Sequence, residues 1–292
     1  MNQSLIKISC TIMFPFAMIA CTETNYGDVN QTRITKSDLD PSFTIESVVS
    51  NRYKLTSSNN ENVIFSQFDL GDGTFNQFNT GDTLFLPDAG IYNIRRFVVG
   101  AGGISSDTIS QTVTVATSDP KSGNLILGGK FATSDDVAKW TIGGTGSGAG
   151  VWTHTPGTAT SPGKETLTAS GYAGNGIYQA INVTKDRVYK IDMLVSSTTG
   201  LSDSWFEVYC GYTNPATVSG DYSEGGTLYS INTWNGSGKT QFSGKISIVG
   251  TPTEKKGVFT ATETGTVYLV MRGGGNNMQA GISITNVEFR GM

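Results

Sequence analysis

The chain has 292 residues, too many for one small domain and enough for two or three. Charged residues make up only 15%, glycine is abundant at 37 residues, and the formal net charge is -4. This composition points to turn-rich β structure rather than helix bundles, and the lack of any basic cluster excludes nucleic acid as a partner, because displacing counterions needs a basic face.

The first residues, MNQSLIKISCTIMFPFAMIAC, carry one early cation, Lys7, and then an apolar run from Ile12 to Ala20. The run is too short to span a bilayer and suits the h-region of a signal peptide over 1–20. It ends Met18-Ile19-Ala20-Cys21, which resembles the lipobox of bacterial lipoproteins, with Met18 where Leu is usual. The resemblance implies cleavage before Cys21 and lipidation of its thiol, so the membrane is met through the lipid anchor alone. With Cys10 removed and Cys21 lipidated, Cys210 has no disulfide partner, and its apolar strand marks it as core. Residues 21–39 are polar and unpatterned and read as a flexible tether.

Residues 40–117 show strand-like stretches separated by Gly, Asn and Asp turns at the spacing of a small sandwich. Phe68-Asp69-Leu70-Gly71-Asp72-Gly73-Thr74 and Asp88-Ala89-Gly90-Ile91-Tyr92-Asn93-Ile94 together resemble a PKD domain, with Ala89 in a usual Pro position and an uncommon Arg95-Arg96 pair. Asp69 and Asp72 are expected to accept backbone N–H bonds in the turn rather than to hold a metal.

Residues 118–123 read as a linker. From 124 to 292 the pattern is again strands, with no sustained 3.6-residue period. The expected strands include 124–131, GVWTHT, SWFEVYCGY, TLYSINTW and 244–250. Asn124-Leu125-Ile126-Leu127-Gly128-Gly129-Lys130-Phe131 with Trp140, Ile177-Tyr178-Gln179, and Gly281–Val287 resemble the galactose-binding-like jelly rolls of carbohydrate-binding modules. The expected fold class is therefore all-β: an immunoglobulin-like (PKD) β-sandwich followed by a galactose-binding-like β-jelly-roll sandwich. Such modules often hold a structural calcium through two acidic positions, which are Ala132 and Asn286 here. Only Asp135, Asp136 and backbone carbonyls remain to compensate, so no cofactor is expected.

The layout of lipoprotein signal, PKD domain and jelly roll resembles the surface glycan-binding proteins of Bacteroidetes polysaccharide-utilisation loci. It implies an outer-membrane, cell-surface location, capture of a polysaccharide such as a laminarin-like β-glucan, and a glycan importer complex as neighbour. A protein-binding adhesin or transporter scaffold, or a jelly-roll polysaccharide lyase, are the alternatives.

The residues themselves argue against catalysis. The single histidine, His154, has no nucleophile elbow near it in sequence, and nothing in the spacing of Glu165, Asp192, Glu207, Asp221 and Glu224 selects a glycosidase pair. Sugar binding needs less: an aromatic ring against the C–H face of a pyranose, with a few polar groups for its hydroxyls. The candidates are Trp152, Trp205, Glu207, Tyr209 and Trp234, whereas Trp140 reads as core. Period-two alternation puts Trp205, Glu207, Tyr209 and Gly211 on one strand face, and Phe206, Val208, Cys210 and Tyr212 on the core face. The first face either meets glycan or packs under the 213–235 loop; the pattern allows both.

Overall fold

A computed structural model describes residues 34–292 apart from 59, 60, 72, 79, 80, 144–148, 159, 160, 252 and 254. The signal segment, Cys21 and Asp72 lie outside the described residues. The structure is all-β, with two four-residue helical turns, α1 (Ser134–Val137) and α2 (Ile246–Val249), and short 3-10 turns.

The first seven strands are β1 (Phe43–Val49), β2 (Arg52–Ser57), β3 (Val63–Asp69), β4 (Phe75–Asn76), β5 (Thr83–Phe85), β6 (Gly90–Gly100) and β7 (Ile109–Val115). They form a three-stranded sheet, β1-β2-β5, facing a four-stranded one, β4-β3-β6-β7. Alternation sends Phe43, Leu55 and Leu84 from one sheet against Phe68, Ile94 and Val113 from the other, and this burial holds the sandwich together. Asp69 ties the following turn, accepting the N–H of Gly71 at 2.8 Å and of Gly73 at 2.9 Å, and its other oxygen takes Arg95 Nε at 2.8 Å. The neighbouring Arg96 points inward instead, with its guanidinium 5.5 Å from the Phe68 ring and a hydrogen bond donated to Ser66. One arginine closes the turn and the next fills the sandwich edge, which accounts for the Arg pair.

The remaining strands are β8 (Thr141–Ile142), β9 (Val151–Thr155), β10 (Lys164–Thr168), β11 (Ser170–Val183), β12 (Val188–Ser197), β13 (Ser202–Gly211), β14 (Tyr229–Asn232), β15 (Phe242–Lys245), β16 (Val258–Thr260), β17 (Gly265–Asn277) and β18 (Ile282–Gly291). One sheet runs β15-β12-β18-β10-β9, with β16 beside β12, and the other runs β14-β13-β17-β11-β8. Strict alternation in β12 turns Tyr189, Ile191, Met193 and Val195 inward, where they meet Ile177, Phe206, Val208, Leu269 and Met271 of the facing sheet. Each such side chain contributes roughly 1.5–3 kcal/mol of burial, so this core dominates the second sandwich.

Two expected strands are absent. Residues 124–131 pair only through an isolated bridge between Asn124 and Arg290, because the chain turns away at Gly128, whose φ is +64° and where a Cβ would lie 2.4 Å from the Asp136 carbonyl oxygen. Residues 246–249 form α2, which buries Ile246 while leaving Ile248 exposed, and Asp192 accepts the Ser247 hydroxyl at 2.7 Å.

The two sandwiches are joined by more than chain continuity. Arg290 in β18 donates to both oxygens of Asp88 at 2.7 Å each, and Asn124 N–H reaches Asp88 Oδ1 at 2.7 Å. Partial burial pushes the Asp88 carboxyl up, but the bonds from Arg290 and Asn124 outweigh it and hold the group below its ordinary value. A depressed carboxylate stabilises above the unfolded pKa and loses that contribution as pH falls through the folded one. Small-angle scattering should therefore show one compact particle at neutral pH and a lengthened one once the pH has fallen below the ordinary carboxylate range. Asp88→Ala should lengthen it already at pH 7; a variant profile identical to wild type would contradict the clasp.

Candidate functional site

The sheet β14-β13-β17-β11-β8 buries one face in the core and turns the other outward. Pairing register arranges the outward residues in rows across the strands. The first row is Asn232, Trp205, Gly274 and Gly174, and the second is Ser230, Glu207, Arg272 and Gly176. The third is Tyr209, Val270 and Tyr178, and the fourth is Gly211, Tyr268 and Ala180.

The third and fourth rows are covered by the connection between β13 and β14. Tyr222 from that segment is fully buried among Tyr178, Tyr209 and Val270, its ring 6.4 Å from Tyr209 in an edge-on arrangement. Glu224 occupies the space that Gly211 leaves: a Cβ on Gly211 would fall 2.5 Å from the Glu224 carboxyl carbon. The Glu224 oxygens accept the N–H of Tyr212 at 3.1 Å, the N–H of Thr213 at 2.7 Å and the Tyr222 hydroxyl at 3.0 Å. Burial pushes this carboxyl up, but the backbone donors prevail and hold it below its ordinary range.

Arg272 stands at the border between the covered and the uncovered rows. Its Nη2 donates to Glu207 Oε2 at 2.9 Å and to the Tyr209 hydroxyl at 3.2 Å, and Nη1 lies 3.1 Å from Asp221 Oδ2 in the covering segment. The guanidinium also sits 4.7 Å from the Trp205 ring centroid and 4.9 Å from that of Tyr209. The Tyr209 hydroxyl donates a hydrogen bond to Glu207 Oε2 at 2.7 Å. Burial, opposed by the bonds from Thr227 and Arg272 and reinforced by Glu207, pushes the Tyr209 hydroxyl pKa up, so it stays protonated. Only 7% of Arg272 is exposed, yet its Nε has no partner among the described residues. Protein encloses this nitrogen on all sides, so the oxygen it calls for is that of an internal water and not of a ligand arriving from outside.

The first row is different in character. Trp205 is partly exposed, and a Cβ on Gly174 would come 3.9 Å from its Cζ2, so the indole reaches across Gly274 toward β11. Gly274 admits no larger residue, since a Cβ there would lie 2.5 Å from the Ala173 carbonyl oxygen. Trp234 is 55% exposed in the 3-10 turn after β14. That turn is anchored by Thr233, whose hydroxyl bonds both the N–H (2.9 Å) and the carbonyl (3.0 Å) of Ser204.

The structure thus gathers Trp205, Glu207 and Tyr209 on one face, with Trp234 at the end of the adjoining strand, and separates Trp152 from them. Trp152 is a correction: it is only 9% exposed and belongs to the core. Alternation along β9 is as expected, but the aromatic side faces inward, and Val151, Thr153 and Thr155 form the exposed face. Tyr209 is a second correction, because Tyr222 covers it and leaves no ring face for a sugar. Its hydroxyl positions Glu207 instead. Sequence reading missed Arg272, although a lone arginine in the apolar run TVYLVMR, before three glycines, is a visible anomaly. It also missed that His154 pairs with Glu165 across β9 and β10, with Nδ1 2.9 Å from Oε1. Burial raises the Glu165 carboxyl despite the opposing imidazole. This pair belongs to the other sheet, away from the rows described above.

Calcium does not fit the position suggested by the resemblance. Ala132 and Asn286 offer no carboxylate there, and Asp136 Oδ2 accepts the Ala132 N–H at 2.8 Å. Among the described residues no three acidic, histidine or cysteine side chains group together.

No protein-family model matches the chain, and no curated protein matches its sequence. Among solved structures it is similar to a promiscuous carbohydrate-binding module of the β-sandwich superfamily, with 15% identity over 86% of this chain and 97% of that one, at a TM-score of 0.33. It is also similar to TmCBM61 in complex with β-1,4-galactotriose, with 10% identity over 57% of this chain and 97% of that one, TM-score 0.32. The enzymatically active domain of tailspike protein 4 of bacteriophage CBA120 shares 13% identity over 61% of this chain but only 23% of its own, TM-score 0.32. Likenesses this distant leave function to be read from the site itself.

Removing Arg272 should leave Glu207 and Asp221 facing each other uncompensated. Arg272→Ala is expected to cost about 2–3 kcal/mol, under the range for a fully buried pair because Asp221 is half exposed, and to lower Tm by about 5–10 °C. Arg272→Lys should recover only part of this, since an ammonium neither forks between two acceptors nor stacks as a plane. An unchanged melting curve for Arg272→Ala would contradict the role of Arg272.

Proposed function

We propose that the outward face around Trp205 binds a polysaccharide without cleaving it. The observation that carries this reading is the partly exposed Trp205 indole lying over the Gly174–Gly274 row, with the exposed Trp234 at the end of the adjoining strand. A flat, partly exposed ring suits the C–H face of a pyranose, and the half-buried Glu207 and Asn232 beside it supply acceptors and a donor for its hydroxyls. Glu207 and Asp221 together outweigh the charge of Arg272, so the patch is net acidic and favours a neutral glycan over a uronate. A laminarin-like β-glucan is the proposed ligand class. The proposed setting is the cell surface. Cys21 would carry the lipid, residues 21–39 would act as tether, and the first, PKD-like sandwich would hold the binding sheet away from the outer membrane. A neighbouring importer complex would receive the captured glycan.

Native gels containing laminarin and a panel of other polysaccharides test the reading. Wild-type protein should be retarded by at least one neutral glucan. Trp205→Ala should weaken retention at least about tenfold, a loss of about 1.4 kcal/mol, while still unfolding in one cooperative transition well above the assay temperature. Trp152→Phe, a change within the core, should leave retention intact. No retardation by any glycan, or wild-type retention by Trp205→Ala, would overturn the proposal.

A further inference from the structure

Tyr172 is the most exposed aromatic side chain among the described residues, at 74%. Its backbone is left-handed, with φ +62°, directly after Gly171 at φ +63°. β-Carbon crowding makes this region unfavourable for any residue but glycine, and most of all for bulky ones. The two residues form a bulge at the start of β11, between the pairs Ser170–Asn277 and Ala173–Gly275, after which pairing with β17 runs unbroken to Val183. Bulges re-aim side chains, and strained backbone is retained where something beyond folding needs it. The Tyr172 ring gains no burial in return, so packing does not explain the strain.

Its place in the sheet suggests what does. Tyr172 lies two residues before Gly174, the position that the Trp205 indole reaches across the sheet. On the far side of Trp205, the exposed Trp234 follows β14. The strand order β14-β13-β17-β11 sets these outer aromatics three strand spacings apart, about 14 Å, with Trp205 between them. That span exceeds one sugar ring. Resting on the glycan-binding reading above, we infer that Tyr172 is a second stacking platform, held in its strained bulge to meet a sugar unit beyond the one on Trp205. The ligand is accordingly an oligosaccharide segment lying across the strands, not a single terminal sugar.

The test compares wild type, Tyr172→Gly, Tyr172→Phe and Trp205→Ala. Titration calorimetry would use the hexasaccharide of whichever neutral glucan the gels retain, laminarin first, and thermal melts would run alongside. Tyr172→Gly removes the ring and suits the left-handed backbone, so its Tm should be no lower than wild type while affinity falls about fivefold or more. Tyr172→Phe should bind like wild type, because stacking does not use the hydroxyl. The disaccharide should bind much more weakly than the hexasaccharide, and Tyr172→Gly should narrow that difference. Tyr172→Gly with wild-type affinity, while Trp205→Ala has lost binding, overturns this assignment alone. A drop of several degrees in the Tm of Tyr172→Gly overturns it too, by showing that the ring is structural. Wild-type protein that binds no glycan overturns the glycan-binding reading along with it.

Discussion

The guanidinium of Arg272 is the interaction on which the outer face depends. It is almost wholly buried, lies between the rings of Trp205 and Tyr209, and reaches Glu207 on β13 and Asp221 on the covering segment. A charge placed so deep is tolerated only with partners, and here they come from both the sheet and the segment above it. The segment between β13 and β14 is therefore tied down at two points. At one, Asp221 meets Arg272. At the other, Glu224 fills the notch at Gly211 and gathers the N–H groups of Tyr212 and Thr213. Between them Tyr222 closes over the tyrosine rows.

This arrangement divides one sheet face into two regions with different fates. Where tyrosines and Val270 project, the segment packs down and forms a small second core. Where the rows hold glycine, few side chains project, and the Trp205 indole reaches over the buried Gly274 toward Gly174. A flat, partly exposed ring with a carboxylate and an amide beside it is what a polyhydroxylated, flat-faced ligand needs. The same glycines that make room for the indole also let β11, β17 and β13 approach closely, since a Cβ on Gly273, Gly274 or Gly275 would collide with neighbouring backbone.

Strand periodicity made most of the fold legible. In β12 and β13 strict alternation separated inward from outward residues, and Phe206, Val208 and Cys210 do lie in the core. The pattern said less where a segment's surroundings decide its shape. Residues 246–249 alternate like a strand but turn as α2, and 124–131 look extended but bend at Gly128, where close packing against Asp136 rules out a side chain. For the site, alternation placed Trp205, Glu207 and Tyr209 together but offered no means of knowing that Tyr222, thirteen residues on from Tyr209, would cover only one of the two rings. It was misleading at Trp152, because alternation tells which residues share a face and not which face is inside. On the edge strand β9 the more polar side is the exposed one. Tyr172 was invisible for another reason: its exposure follows from a bulge, and nothing in Ser170-Gly171-Tyr172-Ala173 marks a register shift except one glycine.

The proposed sugar site is the partly exposed Trp205 ring on the glycine-lined part of the sheet beside Arg272. A crystal structure of the protein with an oligosaccharide from a glucan that retains it would test this most directly. A sugar ring should lie against the Trp205 indole at about 4 Å, with a hydroxyl within hydrogen-bonding distance of the Glu207 carboxylate or the Asn232 amide. Tyr209 and Tyr222 should stay packed together as they are. Sugar bound elsewhere, for example in the cavity of about 560 Å³ between the sandwiches beside Tyr92, Lys130 and Arg290, with the Trp205 face left empty, would contradict the claim.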